Sequence, residues 1–105
     1  MRKFAFIYRG GKPPANPEEG REHMRKWREW RDTLGDAMVE PGMPFSRCLT
    51  VAASGAAEGS GDVPLVGVSL VEADTIEAAR DMAASCPHLG LGGDIVVAEG
   101  MVMEM

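Results

Sequence analysis

Apolar runs along the chain predict four strands. Lys3–Tyr8 combines aromatic and other β-favouring residues and is followed by a stop signal of Gly and Pro at Arg9–Pro14. Leu65–Ala73 and Ile95–Met103 are similar apolar runs, and Phe45–Ala53 alternates more loosely. We therefore predict strands at these four places, with a bend at the intervening residues 41–44 and a loop of small residues at 54–62.

Two segments carry helix-start signals. Asn16 before Pro17 is a predicted N-cap, and the helix is expected to end near Leu34, before Gly35. At 100° per residue, an apolar stripe collects His23, Met24, Trp27, Trp30 and Leu34, whereas charged residues including Arg28 fall on the opposite side. A second capping signature at Asp74–Glu77 opens a helix expected to end near Ser85.

The resulting order is β-α-β-β-α-β within a single domain spanning residues 1–105. This order predicts an α+β, ferredoxin-like fold, in which a four-stranded antiparallel sheet carries both helices on one face. The predicted strands are apolar on both sides, and two helices cover only one of them. We therefore expect a homodimer in which a second copy covers the other face of the sheet, since open apolar patches of this size are unusual in monomers.

Charge and cysteine content narrow the class of protein. The net charge of −5 argues against a general nucleic-acid binder, and residues 1–47 carry +3 against −8 for residues 48–105. No apolar stretch approaches the length of a membrane span, and Cys48 and Cys86 form no CxxC pair, so a cytoplasmic protein with reduced thiols is expected. The glycine-rich segments Gly10–Lys12 and Gly90–Gly93 are interpreted as turns, so no cofactor is expected.

The chain resembles the YCII-related (YciI-like) domain family over nearly its whole length. The resemblance lies in Tyr8-Arg9-Gly10-Gly11, His23-Met24, Val71-Glu72-Ala73-Asp74 and Cys86-Pro87-His88. It implies a ferredoxin-like protomer that pairs into a dimeric α/β barrel, and in some members a His–Asp pair that performs acid–base chemistry on small aromatic or chlorinated molecules. His23 matches the family histidine, whereas Cys86 stands where relatives often have Asp, and the Asp-Gly-Pro-Phe motif of one branch is absent.

The topology gathers five residues with chemical potential at one end of the sheet: Arg9, His23, Cys86, His88 and Asp94. His23 is the candidate proton-transfer residue, with Asp94 or an acid from a second copy to orient it. Arg9 is the candidate anion-binding group, and Trp27 and His88 are candidate substrate contacts. Cys86 is either a modest nucleophile or a buried small apolar residue.

The sequence is compatible with three functions. The first is a homodimer that binds a small aromatic or anionic molecule and uses His23 for acid–base catalysis. The second is a non-catalytic binding or accessory dimer, in which side chains fill the site and leave no ligand-sized cavity. The third is a metal-dependent enzyme with His23, Cys86 and His88 as ligands, although these residues lack the paired spacing of structural zinc sites.

Overall fold

The computed structural model of the protein describes residues 1–103, and its longest helix begins where the capping signal predicts. In α1 (Pro17–Leu34), the Asn16 side chain accepts a hydrogen bond from the Glu19 amide, and Gly35 closes the helix with a φ of 56°. The second helix, α2 (Ile76–Ala83), starts one residue later than a cap at Asp74 predicts. The N-cap is Thr75 instead, and its side chain accepts a hydrogen bond from the Ala78 amide. Both predicted helices are therefore confirmed, the second in a shortened form.

Residues 1–103 contain six strands: β1 (Arg2–Gly10), β2 (Met38–Pro44), β3 (Leu49–Ala52), β4 (Gly55–Glu58), β5 (Leu65–Ala73) and β6 (Gly93–Glu99). Four of them form one sheet in the order β2-β5-β1-β6, and every neighbouring pair is antiparallel. With two helices and this strand order, the chain is an α+β protein compatible with the predicted ferredoxin-like fold. The last strand ends at Glu99, so its predicted extension to Met103 is wrong.

The predicted second strand at Phe45–Ala53 is confirmed only over Leu49–Ala52, and this strand lies outside the four-stranded sheet. The sheet instead takes Met38–Pro44, which includes the bend predicted at residues 41–44, whereas β3 pairs with β4 in a separate hairpin. Edge strands tolerate proline and bulges, and the β2–β5 register shifts twice, on either side of Glu40. Gly42 occupies one irregular step with a φ of 76°, where an added Cβ would overlap the Val68 carbonyl oxygen.

The core lies between the helices and one face of the sheet. Phe4, Phe6 and Tyr8 of β1 are buried against Trp30 of α1, and the cluster continues through Val71, Ala73, Ala79, Ala83 and Cys86. Alternate strand positions point to the opposite face, which bears Ala5, Ile7, Val68, Leu70, Val96 and Ala98. Leu70 is 40% exposed and Val96 is 38% exposed in the single chain. The two-sided apolar sheet is thus present, with the helices on one side only.

Within residues 1–103, neither helix combines the length and the apolar character that crossing a bilayer requires.

Candidate functional site

A pocket of about 380 Å³ lies between α1 and β2, on the helix-covered side of the sheet. Residues of α1 form one wall, β2 forms the opposite wall, and Tyr8, Gly67 and Ser69 contribute from β1 and β5. This volume falls within the range of about 300–1,000 Å³ that is typical of small-molecule sites. The filled, cavity-free interior expected of a purely accessory dimer is therefore absent at this end of the sheet within the described residues.

Aromatic rings line the pocket in a continuous series of mostly edge-to-face contacts. The Trp27 indole lies 5.1 Å from the Tyr8 ring and 5.3 Å from that of Trp30, centroid to centroid, and Tyr8 in turn lies 5.7 Å from His88. Trp30 is fixed because its indole Nε1 donates to the Met82 carbonyl at 3.0 Å. Such an array offers flat, polarisable surfaces to an aromatic ligand.

His23 is bound to Trp27 within α1. The Trp27 indole Nε1 donates to His23 Nε2 at 2.7 Å, and since an indole is only a donor, Nε2 must be the unprotonated nitrogen. The single proton of the neutral ring is therefore on Nδ1. Burial lowers the pKa of His23 below 6.5, and the charges of His88 and Lys26 lower it further. His23 is thus held as a neutral base whose lone pair is already hydrogen-bonded.

His88 reaches the same pocket from the 3₁₀ segment Pro87–Leu91, which follows α2. Its Nε2 lies 2.8 Å from the Arg9 carbonyl oxygen, and because a carbonyl only accepts, this nitrogen carries the proton. The contact depends on Gly93, where an added Cβ would overlap His88 Nε2 and would lie 2.6 Å from the Arg9 carbonyl oxygen. Gly93 therefore allows His88 to pack against the end of β1.

The pocket floor contains a buried polar relay. The Tyr8 hydroxyl donates to Ser69 Oγ at 2.8 Å, and Ser69 Oγ donates to the Pro41 carbonyl at 2.7 Å. Burial raises the pKa of Tyr8 strongly, although the hydrogen bond to Ser69 opposes the shift. Tyr8 is therefore a neutral phenol at physiological pH, and the relay ties β1 to β5 and to β2.

Arg9 and Asp94 are brought together, but apart from His23. Arg9 Nε and Nη2 donate to the two carboxylate oxygens of Asp94 at 2.8 and 2.9 Å, which lowers the pKa of Asp94. The two residues face each other across β1 and β6. By strand alternation, their side chains point to the same face of the sheet as those of Ile7 and Val96 and to the face opposite Tyr8. Their side chains thus belong to the open face, and the sheet separates them from the pocket. The expectation that Asp94 of the same chain orients His23 is corrected accordingly.

Cys86 is a core residue in this geometry. It is 3% exposed, and burial raises the pKa of its thiol to about 12, although the backbone N–H of His88 donates to the sulfur and opposes the rise. A thiol with such a pKa is overwhelmingly protonated at pH 7, and the protonated form is a poor nucleophile. The structure favours the buried apolar alternative for Cys86.

Sequence reasoning missed one wall of the pocket and part of the other. The β2 wall, which includes Met38 and Met43, was missed because no strand was predicted at residues 38–44 and residues 41–44 were interpreted as a bend. On α1, Arg28 and Arg31 line the pocket, although the helical projection placed Arg28 on the solvent side. Arg28 and Arg31 follow Met24, a member of the apolar stripe, by four and seven residues. This spacing places all three on one face of a helix, and it could have indicated that both arginines reach the pocket.

Neither a metal site nor a similarity to known proteins assigns a function to the described residues. Within residues 1–103, no group of three or more His, Cys, Asp or Glu side chains is placed to hold a metal ion. The chain matches no protein-family model and no curated protein. The pocket and its side chains are therefore the features of this chain that indicate a function.

Proposed function

We propose that this protein binds a small aromatic molecule in the pocket between α1 and β2, with His23 as the residue that takes a proton from it. The observation that carries the proposal is the cavity of about 380 Å³ bounded by Trp27, Tyr8 and the two histidines. A flat ring inserted there replaces water against indole and phenol surfaces, which is favourable through both burial and stacking.

The protonation state of His23 is suited to a base. A lowered pKa keeps the imidazole neutral at physiological pH, so that a lone pair is available for a proton. That lone pair accepts from Trp27, and a ligand proton must therefore replace the Trp27 N–H at Nε2. In this proposal the ligand displaces one hydrogen bond, and the imidazolium later returns the proton from the same atom.

Non-catalytic binding is the second candidate. It is favoured by the same Trp27–His23 bond, which occupies the base, and by the pairing of Asp94 with Arg9 in place of His23. Under this alternative the pocket holds its ligand without converting it. The two candidates share the ligand site and differ only in whether His23 exchanges a proton.

The composition makes the binding experiment specific. The sequence contains two tryptophans and two histidines, and all four line the pocket. A panel of phenol, catechol, benzoate and benzamide is titrated while tryptophan fluorescence and the imidazole NMR signals are followed. We expect at least one compound to change both signals with the same affinity. Failure of a broad panel of single-ring aromatics to perturb either signal would contradict the proposed site.

Conversion of the bound compounds separates the two candidates. Each binder is incubated with wild type and with His23→Gln, and products are followed by NMR. Glutamine retains an acceptor for the Trp27 N–H but does not exchange a proton at neutral pH. Conversion by wild type that is lost in His23→Gln while binding is kept supports proton transfer. Unchanged conversion in the variant excludes His23 as the base, and binding without conversion by wild type favours the second candidate.

We further propose that the protein is a homodimer formed through the open face of the sheet, as in the dimeric α/β barrel of the YCII-related family that the sequence resembles. The face has an apolar centre, with Arg9 beside Asp94 at one end and Lys3 opposite Glu72 at the other. A two-fold interface brings the same patch of both copies together. A patch with an apolar centre and both charge signs at each end is suited to that symmetry.

Sedimentation tests the dimer with a matched pair of variants. Val96→Glu places a charge in the open face, whereas Val51→Glu places one on the β3–β4 hairpin, where Val51 is 78% exposed. We expect wild type and Val51→Glu to be dimers at micromolar concentration and Val96→Glu to be a monomer. A monomeric wild type, or a dimer disrupted only by Val51→Glu, would contradict the interface. A cytoplasmic location is part of the same proposal, in keeping with the separate free thiols of Cys48 and Cys86.

A further inference from the structure

The pocket lining has a charge opposite to that of the protein. The chain carries a net charge of −5, yet within residues 1–103 the ionisable side chains that line the pocket are His23, Arg28, Arg31, His88 and the neutral phenol of Tyr8. No carboxylate is among these lining residues. A local positive potential in an otherwise acidic protein attracts anionic ligands to this opening.

The two arginines are neighbours on the surface of α1. They are three residues apart, and each lies within one turn of Trp27, so their guanidinium groups extend from the aromatic wall. Arg31 is only loosely paired, because its Nε lies 3.8 Å from Asp32 Oδ1 and half of its side chain is exposed. By contrast, Arg25 on the solvent side is held at close range by Glu22 and Glu29.

From this arrangement we propose that the ligand is an aromatic carboxylate, whose ring lies against the Trp27 side of the pocket and whose carboxylate is bound by Arg28 and Arg31. The planar guanidinium matches the two oxygens of a carboxylate, and such charge-assisted pairs are stronger than neutral hydrogen bonds. The assignment rests on the proposed aromatic site and adds two specificity-determining residues to it.

The test compares an acid with a neutral molecule of the same shape. Benzoate and benzamide are titrated against wild type, with tryptophan fluorescence as the reporter because Trp27 and Trp30 both line the pocket. We expect benzoate to bind roughly tenfold more tightly than benzamide at low salt, with the difference shrinking as salt screens the arginines. Equal affinities, or binding of phenol or catechol without binding of benzoate, would overturn the carboxylate assignment and leave the aromatic site in place, whereas absence of binding by the whole aromatic panel would remove the two proposals together.

Two sets of variants locate the anion-binding groups. The double variant Arg28→Gln/Arg31→Gln alters exposed side chains and is checked for native folding by circular dichroism. We expect it to lose the preference for benzoate, so that benzoate and benzamide bind with similar affinity. Arg21→Gln removes a positive charge from the same helix but outside the pocket lining, and it serves as the matched control. A preference that survives in the double variant, or that Arg21→Gln abolishes equally, would overturn the role of Arg28 and Arg31.

Discussion

Trp27 donates its indole N–H to the His23 ring one helical turn earlier, with 2.7 Å between Nε1 and Nε2. This bond fixes the tautomer of the one histidine that both the helical stripe and the family resemblance single out. It also means that His23 Nε2 gains a proton only if its hydrogen bond from Trp27 is broken. The tautomer of His23 is therefore fixed by a neighbouring aromatic residue, whereas burial is the main cause of its lowered pKa.

Trp27→Phe is expected to raise the pKa of His23. Phenylalanine keeps the ring in the wall but removes the donor that stabilises the neutral imidazole. NMR titration of the imidazole signals measures the change. Trp30→Phe is the matched control, because the Trp30 indole donates to Met82 and not to His23. An unchanged pKa in Trp27→Phe, or an equal rise in both variants, would show that the hydrogen bond does not hold His23 neutral.

The lowered pKa of His23 also predicts how stability depends on pH. In the unfolded chain the pKa is near 6.5, so between the two pKa values the unfolded state binds more protons and stability rises with pH. Acidification below about pH 6.5 therefore favours unfolding. Urea denaturation of wild type and His23→Gln between about pH 7.5 and about pH 5.5 isolates this contribution. We expect the larger loss in wild type, and parallel profiles would contradict the shift.

The sequence predicts α1 well because its signals are local. Asn16, Pro17 and Gly35 define both ends, and a residue's propensity to cap a helix does not depend on distant partners. The β2 strand could not be predicted in the same way. Its Pro41-Gly42 step is compatible with pairing only because the strand lies at the edge of the sheet and bulges against β5. Whether a strand lies at the edge of a sheet depends on the tertiary fold, so the local sequence of β2 does not reveal it.

The candidate site was predictable in part. Topology correctly placed His23 and His88 at one pocket, because the start of α1 and the segment after α2 meet at the same end of the sheet. It also brought Arg9 and Asp94 to that end, but without regard to the faces of the sheet. Strand alternation contained the missing information, since Arg9 is two residues from Ile7 and Asp94 is two residues from Val96.

Gly93→Ala is expected to disturb the His88 side of the pocket. The added methyl group overlaps His88 Nε2 and crowds the Arg9 carbonyl oxygen, so the His88–Arg9 bond is broken or the end of β6 moves. We expect a loss of about 1–3 kcal/mol in unfolding free energy, measured by urea denaturation. Gly90→Ala adds the same group where no atom lies within 4 Å, and it should be nearly neutral. Equal effects would indicate that the contact at Gly93 does not matter.

The hydrogen bond between Tyr8 and Ser69 predicts that substitutions at these two residues have non-additive effects on the free energy of unfolding. Ser69→Ala leaves the buried Tyr8 hydroxyl without its acceptor and should cost about 1–3 kcal/mol of stability. Tyr8→Phe removes the stranded hydroxyl, so Ser69→Ala should cost less in that background. A double-mutant cycle by urea denaturation measures the difference. Additive effects of the two substitutions would show that the hydroxyls are not energetically linked.

The two cysteines are expected to differ in reactivity towards iodoacetamide. Cys86 is buried with a pKa of about 12, so little thiolate is present at neutral pH, whereas Cys48 is partly exposed. Mass spectrometry of the native protein after brief alkylation should show modification at Cys48 well before Cys86. In urea both thiols should react at similar rates, because unfolding removes the burial that distinguishes them. Alkylation of native Cys86 as fast as Cys48 would contradict its placement in the core and would restore it as a candidate nucleophile.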